Sequence, residues 1–170
     1  MSVEFDDIRK RAVEIALFEA TLDTKEVGAK NRGERIDLYL RNAHALKKDA
    51  EPDQAGLGWC GMFIYYCYSQ AAREIGKILP FKSGTLWSGQ KLQKWGFNNF
   101  DKTINSCPYV LLPGDIYIMN NYHIGMVIEQ VNNLDIVNTI DGNQEGVDSE
   151  KNSVRKRTRS VYDMRMLIRI

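Results

Sequence analysis

GLGWCGMFIYYCYSQAA, residues 56–72, sets a cysteine at the mouth of an apolar helix, behind a glycine-rich approach. Gly56, Gly58 and Gly61 allow tight backbone conformations there, and the apolar run from about Gly61 onward predicts a helix buried on most of its sides. Cys60 then falls at or near the helix N-terminus. The partial positive charge and unpaired N–H groups at a helix start favour thiolate, the reactive form, over thiol. The same N–H groups can hold an oxyanion. The other role open to Cys60 on this stretch alone is that of a small buried hydrophobe.

Working outward, residues 6–22 repeat apolar side chains at helical spacing through Ile8, Ala12, Ile15, Ala16 and Phe18, and residues 36–43 do so again after a polar loop at Gly28 to Gly33. The charged segment 47–54, with Pro52, reads as a surface connection into the cysteine helix. Beyond that helix, Ser88 to Gly96 suits a short helix, and Phe97 to Asn105 is irregular. The period then changes. YVLLPGDIYIMN, HIGMVIEQV, LDIVNTIDGN and MRMLIRI are β-branched runs of strand length, punctuated by Pro113-Gly114, Asn120-Asn121, Asn132-Asn133 and Asp141-Gly142. Helices first and meandering strands afterwards predict an α+β domain, 1–170, whose early helices cover one face of a C-terminal antiparallel sheet.

The chain's 170 residues suit one domain with a core of its own, and 44% apolar with 26% charged content is ordinary for a globular chain. A net charge of +1 gives no bulk field for nucleic acid, so no nucleic-acid partner is expected. Arg155 to Arg159, RKRTR, reads as a solvated face. The amino-terminal residues lack the uninterrupted apolar core of a secretion signal, and no window approaches the roughly 18 apolar residues of a membrane span. Synthesis in the cytoplasm, no membrane association and a monomer are the expectations. Cys60, Cys67 and Cys107 are odd in number and lack zinc-like spacing, against both a disulfide framework and a structural metal.

A cysteine nucleophile needs a base within reach and a group that orients the base. Of the two histidines, His44 sits between alanines on the second helix, where a structural role is expected, whereas His123 opens a strand beside a turn. Asp141 ends the next run at Asp141-Gly142-Asn143, and short antiparallel connections bring such strand ends together. Each residue alone has a plainer role: a surface histidine, a turn-forming Asp-Gly. Together they make a candidate Cys60, His123, Asp141 site.

Taken with their order, these segments resemble the CHAP branch of the NlpC/P60 group, cysteine peptidases and amidases of papain-like fold that cut peptidoglycan. The resemblance is carried by NRG at Asn31 to Gly33, GWCGMFIYYCYSQA at Gly58 to Ala71, LPGDIYIM at Leu112 to Met119, HIGMVIE at His123 to Glu129 and TIDGNQ at Thr139 to Gln144. It implies Cys60 as nucleophile, His123 as base and then acid, Asp141 as orienting carboxylate and Asn143 as auxiliary hydrogen-bonding residue. Trp59 belongs to the same wording and is the candidate substrate-groove residue, a packing anchor being its other role. The implied partner is peptidoglycan, with no cofactor.

Three departures from the family pattern stand out. Asp141 occupies a position where glutamate is frequent. Members that bind calcium carry several aspartates before the cysteine, and here only Asp49, Glu51 and Asp53 are present, so no metal is expected. No additional wall-binding domain is expected, so the domain would reach the wall by release through a membrane hole or by injection, and an injected effector would call for a cognate immunity protein. Two other readings accompany the amidase: a wall-peptide binding module without turnover, and an effector hydrolase acting on a protein amide. Cys67, about two turns after Cys60 on one helical face, and Cys107 are read as structural.

Overall fold

The strand runs of the second half pair into one antiparallel sheet, described here from a computed structural model. It covers residues 5–22, 24–27, 30–45, 58–99, 103–104, 110–131, 135–144 and 152–170. The described strands are β1 (Thr103–Ile104), β2 (Ile116–Met119), β3 (Ile124–Gln130), β4 (Ile136–Gln144), β5 (Ser153–Ser160) and β6 (Met164–Ile168), in the order β1-β6-β2-β3-β4-β5. The described helices are α1 (Asp6–Thr21), α2 (Glu34–Asn42), α3 (Cys60–Ile75) and α4 (Gly89–Asn98). The architecture is α+β. Cys107, the 47–54 connection and the acidic residues Asp49, Glu51 and Asp53 lie outside the described residues.

Alternation along the strands decides which face meets the helices. Ile116, Ile118, Ile124, Met126, Ile140, Met166 and Ile168 are buried in one cluster with α1, α2 and α3. The intervening Tyr117, Val127, Val137 and Leu167 point to the other face, where Leu111 and Val161 complete a smaller apolar cluster. Helix α3 carries apolar residues nearly all round because it lies between α1, α2 and the sheet: Met62, Phe63, Ile64, Cys67, Tyr68 and Ala71 are fully buried. Cys67 is thus a core residue, and burial pushes its thiol well above the usual range. Ser88 caps α4 by accepting the Lys91 N–H at 3.2 Å.

Two strands depart from the sequence expectation. RKRTR, read as a solvated face, lies within β5, which pairs with β4 along almost its whole length; Lys156 and Thr158 are exposed and the three arginines are half-buried. Its apolar content is too low for the usual strand signal, and pairing to a buried neighbour supplies what propensity does not. The irregular patch after α4 likewise contributes Thr103–Ile104 as an edge strand against β6.

The Asp of the PGD segment is a latch. Asp115 is fully buried; Arg169 donates to it from Nε at 2.8 Å and from Nη2 at 2.5 Å, Arg9 lies at 3.5 Å, and the Leu112 N–H is received at 2.8 Å. It joins α1, the turn before β2 and the end of β6. Asp115→Asn would take from Arg169 the carboxylate that receives both its Nε and Nη2 and leave Arg9 with Asp6, so a loss of about 2–3 kcal/mol in unfolding free energy is expected by urea titration. An unchanged denaturation midpoint would contradict this role.

Candidate active site

Cys60 is the first residue of α3, partly exposed, with Trp59 at the N-cap. The His123 ring and the backbone N–H groups of Ile124 and Gly61 lie close enough to its sulfur to favour the thiolate. His123 immediately precedes β3. The turn before it is tightly specified: Tyr122 takes φ 66, the His123 N–H is received by Asn121 Oδ1 at 3.1 Å, and the His123 carbonyl accepts the Met119 N–H at 2.8 Å. The imidazole is therefore held at the sheet end that faces the start of α3.

Asp141 is fully buried beneath that ring. Its Oδ1 lies 3.3 Å from His123 Nε2 and also accepts the Tyr117 hydroxyl. Its Oδ2 accepts Arg159 Nη2 at 3.0 Å, Arg159 Nε at 3.3 Å and Thr139 Oγ1 at 3.2 Å. The three side chains named from sequence are thus contiguous, carboxylate to imidazole to thiol.

The electrostatics follow from these contacts. Burial disfavours the Cys60 thiolate, but the hydrogen bond and charge of His123 together with the two backbone N–H groups outweigh it and lower the thiol below its usual range. Burial also disfavours the imidazolium; hydrogen bonds to Asp141 and Cys60 and their charges reverse this and raise His123 to about 9. Asp141 is held below the usual carboxylate range, burial being overcome by His123 and Arg159. Both directions favour a resting thiolate–imidazolium pair whose protons come off as a coupled system.

That pair has a measurable signature. Cys60 is expected to react with iodoacetamide at pH 6, where a free thiol is almost fully protonated, and the His123→Ala protein to react about tenfold or more slowly there. Any turnover that needs the imidazolium is expected to fall as pH rises through about 9, where His123 loses its proton. A parent profile that follows a free thiol near pH 8.5 would contradict the pairing.

Asp141 is not the start of a turn, as its Asp-Gly sequence suggests; it lies inside β4, which continues to Gln144. Gly142 is glycine for another reason: a methyl there would run into the Trp59 and Phe63 side chains, so β4 and α3 approach at that point without a Cβ between them. Trp59 is itself corrected by this packing. It is fully buried, donates from Nε1 to Glu26 at 3.3 Å and packs beside Tyr39, so it anchors the start of α3 and lines no groove.

The carboxamide against the ring is also not the expected one. The β4–β5 register slips between Asp141 and Gln144, where two residues of β4 face one of β5 and Asn143 takes φ 58. The extra residue turns Gln144 onto the face of Asp141. Gln144 Nε2 stands 3.1 Å from His123 Nε2 and 3.4 Å from Nδ1, while its Oε1 accepts Arg159 Nη2 at 2.9 Å. Asn143 pairs instead with Asn152, Oδ1 accepting Nδ2 at 2.9 Å, and its own Nδ2 lies beside Gly58 on the approach to Cys60. Gln144, Arg159 and Tyr117 are thus the site residues that sequence reading missed. The Gly-Asn pair was the available signal for a bulge, and the Arg-x-Arg-x-Arg alternation was the signal for a strand.

Compared with family models, with curated proteins and with solved structures, the chain matches none. Among the described residues, no group of three or more His, Cys, Asp and Glu side chains is arranged to hold a metal ion. No helix among them is long and apolar enough to cross a membrane.

Proposed function

We propose that the chain is a papain-like cysteine hydrolase of the CHAP type, cutting an amide bond of bacterial peptidoglycan. The observation that carries the reading is the unbroken line from the fully buried Asp141 through His123 to the sulfur at the start of α3. The wording of the segments around these residues supports the choice of substrate. The Cys60 thiolate attacks the carbonyl carbon, and N–H groups at the helix start receive the developing oxyanion. Protonated His123 gives its proton to the departing amine, leaving a thioester on Cys60. Neutral His123 then takes a proton from water, which attacks the thioester and releases the acid and the thiolate. Asp141 keeps the ring turned with Nε2 inward throughout, and Arg159 and Tyr117 keep Asp141 in place.

The test is mass spectrometry of purified sacculi incubated with the protein. Soluble fragments bearing a new amine and a new carboxylate at one amide position are the expected products. Intact sacculi, or fragments broken only at glycosidic bonds, would overturn the proposal.

A further inference from the structure

Gln144 stands against the imidazole and has no part in the steps above. Which end of its carboxamide faces the ring follows from its other partner. A guanidinium only donates, so the atom that meets Arg159 Nη2 at 2.9 Å is the carboxamide oxygen, and the amide nitrogen is the end turned to His123. Arg159 is itself held, with Nε and Nη2 both on Asp141 Oδ2 and its guanidinium 5.8 Å from the centroid of the Tyr117 ring. The bulge in β4 supplies the rest: with Asn143 at φ 58, Gln144 falls on the face of Asp141. One guanidinium thus fixes both groups that β4 presents to the ring, a carboxylate and an amide N–H donor.

The two groups act on the ring in opposite senses. A carboxylate favours the imidazolium. The amide nitrogen, 3.1 Å from Nε2 and 3.4 Å from Nδ1, can donate to a neutral ring, which keeps one nitrogen lone pair, and finds no acceptor on an imidazolium, both of whose nitrogens carry hydrogen. We propose that Gln144 is a positioning residue of the reaction, holding an N–H against His123 so that the neutral imidazole is favoured at the step where it must take a proton from water. The proposal rests on the hydrolase reading for that step. Once the thioester stands on Cys60, the thiolate charge is gone. The charged groups then described around the ring are Asp141, with Arg159 behind it, and Lys30 and Arg157 on the wall of the same cleft. Asp141 acting alone would favour a protonated ring, which cannot accept a proton. With the ring neutral, one water proton passes to His123, the water oxygen bonds to the thioester carbon and the C–S bond breaks, which returns the thiolate and the imidazolium.

The ring is to be titrated by NMR in the Cys60→Ala protein, where no thiolate faces it, with the exposed His44 as internal reference. Gln144→Met keeps the length of the side chain and removes the donor. Its His123 midpoint is expected about half a pH unit or more above that of Cys60→Ala alone, roughly threefold in the ionisation constant. The sign is the discriminating readout: an apolar neighbour acting only by desolvation lowers an imidazole, so a rise reports the lost donor. Gln144→Glu, which sets an acceptor where the N–H was, should raise the midpoint further. An unchanged or lower midpoint in Gln144→Met, or an unmoved one in Gln144→Glu, would overturn the proposal. With Cys60 in place, p-nitrophenyl acetate probes thioester hydrolysis directly. Parent and Gln144→Met should release the same rapid burst of nitrophenolate, and the acidic limb of the slow phase should lie at higher pH in Gln144→Met, about threefold slower below the limb and equal above it. A limb that stays in place would also overturn the proposal. The hydrolase reading fails separately: a parent protein without a Cys60-dependent burst removes that reading, whereas a burst with unshifted ring midpoints removes the role of Gln144 alone.

Discussion

Cys60→Ala is expected to end the release of soluble fragments from sacculi, with a loss of about 10⁴-fold or more relative to the parent. The size follows from what the sulfur does: without it no thioester forms, and the imidazole and helix-start N–H groups act only on water. Cys60→Ser is expected to be almost as poor, because a hydroxyl is far harder to ionise than a thiol whose pKa is already lowered by His123 and two backbone N–H groups. Both changes are small in volume at a partly exposed helix start, so thermal unfolding should be close to that of the parent. Turbidity of a sacculus suspension measures the activity and circular dichroism the fold. A folded Cys60→Ala protein that clears the suspension at the parental rate would place the chemistry elsewhere in the molecule.

Gly125→Ala is the second change of large effect. It touches neither sulfur nor imidazole. Tyr117 on β2 stands opposite Gly125 on β3, and continuing the β3–β4 register one step puts Asp141 on the other side of it. A methyl group at Gly125 would overlap the Asp141 carboxylate and the Tyr117 hydroxyl, which fill the space above that glycine. Neither can give way freely: both are fully buried, and Asp141 is tied to Arg159 and Thr139. Overpacking of this kind is expected to lower stability by about 2–3 kcal/mol. Moving the carboxylate also releases the imidazole from its orientation, so a further loss of about 10²–10⁴-fold in turnover is expected. The distinguishing readout is the iodoacetamide profile, whose acidic limb should move toward that of a free thiol. Unchanged turnover together with an unchanged profile would show that Asp141 does not orient His123.

Much of this arrangement was legible in the residues. A cysteine at the head of an apolar run, a histidine after Asn-Asn-Tyr and a carboxylate on the following strand are local signals, and the structure brings them together. What was not legible depends on pairing. Asp-Gly reads as a turn because the pair favours turns, yet Gly142 is required by Trp59 and Phe63 from a helix some eighty residues earlier, a demand that no local pattern carries. Simple alternation assigns Asn143 to the face of Asp141; one extra residue in β4 hands that place to Gln144. Trp59 lies beside the nucleophile in sequence, but the helix start turns its ring into the core. Arg159 could not be connected to Asp141 until RKRTR was known to be a strand.

The outermost strand has one more effect, on the behaviour of many copies of the chain together. Thr24 to Glu26 cover the beginning of β5 through the Val154 and Glu26 N–H groups, and among the described residues the length from Arg155 onward is the border of the sheet. Four of its five residues from Arg155 to Arg159 are cationic. Two such borders laid side by side would set like charges against each other at nearly every step, so ribbon growth from molecule to molecule is opposed along this border.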